Sequence, residues 1–314
     1  MSARTKFMTN PSVQHTISRA ITFDGKGVHG NQAVSMTLNP APANTGIVFV
    51  RTSGEGNTAE IKARHDFVGA TELCTIIGDP NGLFVATIEH LMAALSALSV
   101  DNVLIDITGP EVPVMDGSSS IFIEEISDIG LIAQAARRQY IKIEQPIRIE
   151  MGGSWAEFQP YDGCEFDVEI DFDDPAIGNQ RRFSRDIARA RTFGFMKDVE
   201  NLWKAGYALG SSFENSVVIG GEGILNPDGL RFDDEFVRHK LLDAVGDIAL
   251  AGAPILGRYC SYRGGHKLNY LMVKALFEQQ DCWSYHELAR SGFASAPRAN
   301  ISVEPAVALA ASKD

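Results

Sequence analysis

The segment Val237–Leu250, VRHKLLDAVGDIAL, sets His239, Asp243 and Asp247 four residues apart, with Lys240 beside the first. On a helix of about 3.6 residues per turn those three side chains form one stripe. Val237, Leu241, Ala244, Val245 and Ile248 gather on the opposite side, so the spacing predicts an amphipathic helix with one face in a core. The polar face carries His, Asp and Asp where lysine and glutamate are the usual solvated choice. Two readings stand on this helix alone. One is a surface stripe of i,i+4 charge pairs. The other is a set of ligands.

Working outward, ILGRYCSYRGG reads as a strand and HKLNYLMVKALFEQQ as a closing helix. Before the helix come the strands YIKIEQPIRIE, SWAEFQP and CEFDVEIDF, then a turn in RDIARARTFGF and a helix in MKDVENLWKAGYAL. VVIGGEGILNPDGLRF reads as a short β excursion. Nearer the start, AVSMTLNP and GIVFVR are strands divided by the turn-rich PAPANT. TIEHLMAALSAL is apolar nearly all round and is expected to be buried. The strand NVLIDIT, the loop PEVPVMDGSSS and the helical IFIEEISDIG follow it.

Each half thus runs strands, helix, strand, helix, an order that hints at duplication although the letters of the halves differ. Strands grouped with helices, rather than strict alternation, indicate an α+β fold. LIAQAARRQYIKIEQPIRIE changes from helical to alternating, which puts a boundary near residues 131–139. The expected organisation is a flexible segment 1–16, a first α+β domain 17–135, a second 136–294 and a flexible tail 295–314.

A chain of 314 residues, 45% hydrophobic and 22% charged, can bury a sizeable core and reads as globular. A net charge of −12 argues against a nucleic-acid partner but leaves room for an anionic small molecule met by local cations. No run of about 18 apolar residues marks a membrane span, and the opening MSARTKFMTNPSVQHTISRA lacks a secretory h-region. Cys74, Cys164, Cys260 and Cys282 are scattered, as free thiols in a reducing compartment would be. A cytoplasmic monomer without stable membrane insertion is expected.

Seven histidines are present, of which His15, His65 and His286 have surface-like neighbours and His29 sits in the turn GKGVHG. His90 follows Glu89 inside the buried TIEHLMAALSAL. A buried glutamate needs a partner, either a plain ion pair or something stronger. His239 and Asp243 have the HxxxD spacing that lets an imidazole and a carboxylate reach one ion. With a third ligand such as His90 they would form a His/His/Asp set, which leaves one position on zinc open, as catalytic sites do. Glu89 would then stand beside a ligand, placed to take a proton. His266, in GGHKLN, is either a helix cap or a general acid for a leaving amine.

Together these segments resemble the zinc-dependent UDP-3-O-acyl-N-acetylglucosamine deacetylases of Gram-negative bacteria. The resemblance rests on GKGVHG with NPAPANTGIVFVR, TIEHLMAALSALSVDN, PEVPVMDGSS, ARTFGFMKDVE, LNPDGLRFDDEFVRHKLLDAVGDIALAG and RGGHKLN, in order over roughly residues 17–290. It implies two similar α+β domains packed face to face around a cleft. His90, His239 and Asp243 would be the Zn2+ ligands, Glu89 the general base and His266 the catalytic acid. Asp247 would orient that histidine, and Thr192 would help hold the tetrahedral oxyanion. Phe193 and Lys240 would contact the substrate near the sugar, with Arg263 a phosphate partner. VVIGGEGILNPDG would be the insertion that makes a passage for the acyl chain. The implied reaction removes the N-acetyl group of UDP-3-O-acyl-N-acetylglucosamine, releases acetate and commits the sugar to lipid A biosynthesis. Two rivals share these residues: a zinc amidase acting on another acylated amino sugar, and a non-catalytic protein that binds a sugar-nucleotide lipid.

Overall fold

The computed structural model describes residues 12–182, 186–221 and 223–288. The first half contains β1 (Val13–Ile17), β2 (Ile21–Lys26), β3 (Ala33–Pro40), β4 (Ile47–Thr52), β5 (Thr58–Lys62), β6 (Val68–Ala70), β7 (Ile76–Gly78) and β8 (Phe84–Val85). It continues with α1 (Glu89–Leu98), β9 (Val103–Ile107), α2 (Ser120–Ile129) and β10 (Leu131–Arg137). The second half opens with β11 (Gln139–Ile143), β12 (Ile147–Met151), β13 (Ser154–Gln159), β14 (Cys164–Asp171), β15 (Asn179–Arg182) and β16 (Thr192–Phe195). It closes with α3 (Met196–Lys204), β17 (Ser216–Gly220), β18 (Gly223–Ile224), α4 (Glu235–Ile248), β19 (Ile255–Tyr262), α5 (His266–Glu278) and β20 (Trp283–Glu287).

The fold is α+β, and its duplication is written in the sheets. One sheet runs β2-β3-β9-β4-β5. Its counterpart runs β12-β13-β19-β14-β15, with β11 and β20 added at the start of β19. In both, the strand that follows the principal helix is central, lying antiparallel to one neighbour and parallel to the other. Each half also carries a small three-stranded sheet ahead of that helix: β6-β7-β8 before α1, and β16-β17-β18 before α4. The buried apolar residues form two clusters to match, one around Phe49, Leu91 and Phe122, the other around Phe158, Phe236 and Tyr259.

Two expectations need correction. The segment 1–16 was expected to be a loose end, yet Val13–Ile17 is a strand paired antiparallel with β10. Gln14 locks it further, its amide accepting from Asn102 and Asn44 and donating to the Asn44 side chain. Residues 1–11 and the tail 295–314 lie outside the described residues. The start of LIAQAARRQYIKIEQPIRIE, expected to be helical, instead forms β10. Gly130, at φ +77°, ends α2 there, and pairing with β1 overrides a weak local propensity.

Helix α4 is buried nearly all round: twelve of its fourteen residues are inside, Lys240 and Val245 being half-exposed. It packs against α1 on one side and against α5 and β14 on the other. Phe236, Val237, Leu241 and Ile248 fill the second core; each such side chain contributes about 1.5–3 kcal/mol on burial. The polar stripe is therefore buried as well. Its placement depends on Gly246, where a Cβ would stand 2.0 Å from the Glu89 carbonyl oxygen of α1. Only hydrogen fits there. Among the described residues no helix is long and apolar enough to cross a membrane.

Overpacking typically costs about 1–3 kcal/mol, so Gly246→Ala is expected to lower unfolding free energy by at least that in a denaturant titration. Gly54→Ala, where nothing lies within 4 Å of the added Cβ, is the control. Equal stability of the two variants would refute the close helix contact.

Candidate metal centre

Three elements converge: the start of α1 brings Glu89 and His90, the middle of α4 brings His239, Asp243 and Asp247, and the first residue of α5 is His266. The candidate ligand atoms of His90, His239 and Asp243 all lie within 4.8 Å of one another. Those three residues are only 5%, 1% and 1% exposed. His239 Nε2 is 3.3 Å and His90 Nε2 3.6 Å from the same Asp243 Oδ1.

The tautomer of His239 makes this arrangement diagnostic. Its Nδ1 lies 3.1 Å from the Ala190 carbonyl oxygen, which can only accept, so Nδ1 carries the proton. The Nε2 lone pair then faces a carboxylate oxygen. Burial holds the His239 imidazole down to a pKa of about 3, so the ring is neutral. Burial alone would push Asp243 upward, but the Lys240 ammonium beside it holds its carboxyl well below the usual range. Lys240 Nζ takes the other oxygen, Oδ2, at 2.9 Å. Asp243 Oδ1 is left buried with no hydrogen-bond donor. Two imidazole nitrogens converging on a buried carboxylate oxygen that no hydrogen bond satisfies fit a divalent cation, and the donor set suits zinc.

Beside this set stands a second cluster of Glu89, Asp247 and His266. His266 Nδ1 donates to Asp247 Oδ2 at 3.0 Å, leaving Nε2 3.9 Å from Glu89 Oε1. Asp247 is saturated: Thr75 donates to Oδ1 at 2.6 Å, and Asn269, fixed by the Tyr259 hydroxyl, donates to Oδ2 at 2.8 Å. Burial would lower the His266 pKa, yet the charges of Asp247 and Glu89 outweigh it and raise it to about 9. Burial is also the main cause that pushes Glu89 upward, opposed by His266 and His90. One carboxyl with raised proton affinity thus faces one cationic imidazole, the pairing that general acid–base chemistry uses.

Thr192 opens β16, two residues beyond Ala190, and Phe193 brings its ring 6.2 Å from His239. Lys240 Nζ stands 5.5 Å over that ring. Lys240, Thr192, Phe193 and His266 are the partly exposed members, so the candidate ligands are approached from their side. Arg263 is exposed in the turn between β19 and α5 at φ 51°, outside the cluster of ligands. Neither Gly264 nor Gly265 has backbone pressed against it, so the two glycines before His266 are not required by close approach.

Sequence reasoning missed Thr75, whose backbone N–H donates to Glu89 Oε2 at 3.1 Å while its hydroxyl holds Asp247. It also missed Asn269, Ala190 and Glu111. The last is a buried carboxylate that accepts from the His29 and Gly30 amides and from Thr87, fixing the GKGVHG turn. A threonine in a loop and a backbone carbonyl leave no periodic signal.

An α+β duplication with two His and one Asp that could hold a metal where its principal helices meet fits a metal-dependent hydrolase. The family model described as UDP-3-O-acyl N-acetylglycosamine deacetylase matches residues 14–278. The UDP-3-O-acyl-N-acetylglucosamine deacetylases of Brucella ovis, Brucella suis and Brucella melitensis are each 51% identical over 283 residues, covering 87% of this chain and 98% of theirs. This chain belongs to the UDP-3-O-acyl N-acetylglycosamine deacetylase family.

The His266–Asp247 pair has a definite pH signature. Because the folded pKa is raised, its stabilisation is complete below the unfolded value near 6.5 and is lost as the pH climbs through about 9. An NMR titration of the His266 ring should show a midpoint near 9, moving down in Asp247→Asn. An unchanged midpoint in that variant would contradict the assigned pairing.

Proposed function

We infer that this chain hydrolyses the N-acetyl group of a UDP-3-O-acyl-N-acetylglucosamine, releasing acetate and leaving a free amine, the deacetylation step of lipid A biosynthesis. The observation that carries a metal-dependent mechanism is the orphaned Asp243 Oδ1 between two imidazole nitrogens. His90, His239 and Asp243 would hold Zn2+. When bound, zinc supplies Lewis acidity toward the amide carbonyl and lowers the pKa of water.

The side chains perform the proton transfers. Glu89, pinned through Oε2 by the Thr75 amide, keeps Oε1 free to take a proton from the attacking water. His266 gives its Nε2 proton to the nitrogen as the C–N bond breaks, and Asp247 keeps that ring cationic and correctly turned. The Thr192 hydroxyl supports the oxyanion. Phe193 and Lys240, half-exposed beside the ligands, contact the sugar, and Arg263 reaches toward a phosphate from the rim. The insertion VVIGGEGILNPDG, which contains most of β17 and all of β18, would make the passage for the acyl chain. The halves 17–135 and 136–294 act as two domains, their principal helices facing one another across the site. The four free cysteines suit the cytoplasm of a Gram-negative cell, where the protein acts as a monomer.

Acetate release from the acylated UDP-sugar, followed after chelation and after zinc is restored, tests the assignment. Activity should vanish and return. Glu89→Gln should keep one zinc per chain while turnover drops by about 10²–10⁴. A folded, zinc-loaded protein that leaves this amide intact would sink the substrate assignment and favour a non-catalytic binder or an amidase for another sugar.

A further inference from the structure

The five residues Ala188–Thr192, which lead into β16, are each held by a different group. The Ser119 amide donates to Ala188 O at 2.9 Å, and the Gly117 carbonyl accepts from Thr192 N at 2.8 Å. Arg231 Nη1 donates to Arg189 O at 3.0 Å, and His239 Nδ1 donates to Ala190 O at 3.1 Å. The buried Glu235 carboxylate takes Arg191 N and Nε, each at 2.9 Å, and Nη2 at 3.1 Å. Two of these grips come from the PVMDGSS turn of the first half. That turn is pressed so close to the second half that a Cβ on Gly117 would stand 1.7 Å from Asn215 O, just before β17. Ser119 Oγ also donates to the carbonyl of His90, at 2.8 Å.

One ion pair closes this arrangement across the two halves. Asp116 Oδ2 accepts from Arg231 Nη1 at 2.8 Å, the same nitrogen that holds Arg189 O. Asp116 Oδ1 meanwhile accepts from the Ser118 amide and hydroxyl, which shapes the turn. The guanidinium is thus fixed from the first half and fixes backbone in the second.

We propose that Asp116 and Arg231 are positioning residues for Thr192. The pair sets the register of Ala188–Thr192 and thereby places the Thr192 hydroxyl. This rests on the reading of Thr192 as the group that supports the oxyanion. The chemistry fits the purpose: a hydroxyl that must meet a developing charge has to be held in advance, and a displacement of about 1 Å can cost a hundredfold in rate.

The test is a double-mutant cycle in the zinc-loaded enzyme: wild type, Asp116→Asn, Thr192→Ala and the double variant, with kcat and KM for acetate release. Asparagine keeps the shape and the acceptor for Ser118 but removes the charge that faces Arg231. Asp116→Asn should lower kcat about ten- to a hundredfold with KM nearly unchanged, and zinc content should stay at wild-type level. In the Thr192→Ala background the same change should cost less than about threefold, because its effect passes through the missing hydroxyl. Equal losses in both backgrounds, a loss confined to KM, or no loss at all would overturn the proposal. Arg231→Lys, which retains the charge but not the fork, runs through the same cycle if the asparagine variant fails to fold. A wild type that releases no acetate refutes the reaction itself, whereas an active wild type with additive losses removes only the positioning role.

Discussion

Everything at this site hangs on the contact between two helices at Gly246. Because that residue has no side chain, the backbone of α4 comes against the first turn of α1, where a Cβ would stand 2.0 Å from Glu89 O. Glu89 and His90 are thereby brought onto His239, Asp243 and Asp247. With a larger residue the helices would separate, and the imidazole of His90 could not lie 3.6 Å from the carboxylate of Asp243. The close approach is also what buries the charges, and burial gives them their chemistry: it keeps His239 neutral and raises the proton affinity of Glu89.

The duplicated topology explains how so many groups reach one point. Two sheets of the same strand order present two principal helices to each other, and each half inserts a small sheet at the same place in its chain. The first insertion delivers Thr75, just before β7, which braces Glu89 and Asp247 together. The second delivers Ala190, Thr192 and Phe193, which fix His239 and border the approach. Scaffold helices carry the candidate ligands and the Glu89–His266 pair, while the insertions orient them. A metal site needs that second set of contacts as much as its ligands.

Much of this was legible in the sequence. The four-residue spacing of His239, Asp243 and Asp247 fixed their common face, and the apolar surroundings of Glu89 and His90 marked a buried charge in need of a partner. The repeated order of strands and helices suggested the duplication. What escaped has a physical reason. Helix α4 read as amphipathic, but partners on both sides bury its polar stripe too, and periodicity cannot report a second neighbour. LIAQAAR, expected to be helical, is a strand because it pairs with β1, a partner more than a hundred residues away. Thr75, Asn269 and the Ala190 carbonyl act through single hydrogen bonds between segments distant in sequence, which no local pattern encodes.

Asp243 Oδ1, buried without a hydrogen-bond donor between the imidazoles of His90 and His239, is the feature that most calls for a cation. The most direct test is the zinc content of wild type and Asp243→Ala, each stripped, reloaded with zinc and measured by elemental analysis. One tightly held zinc per chain in the wild type, and none in a folded Asp243→Ala, is the predicted result. A wild type that retains no zinc, or a variant that holds it as tightly, would contradict the account.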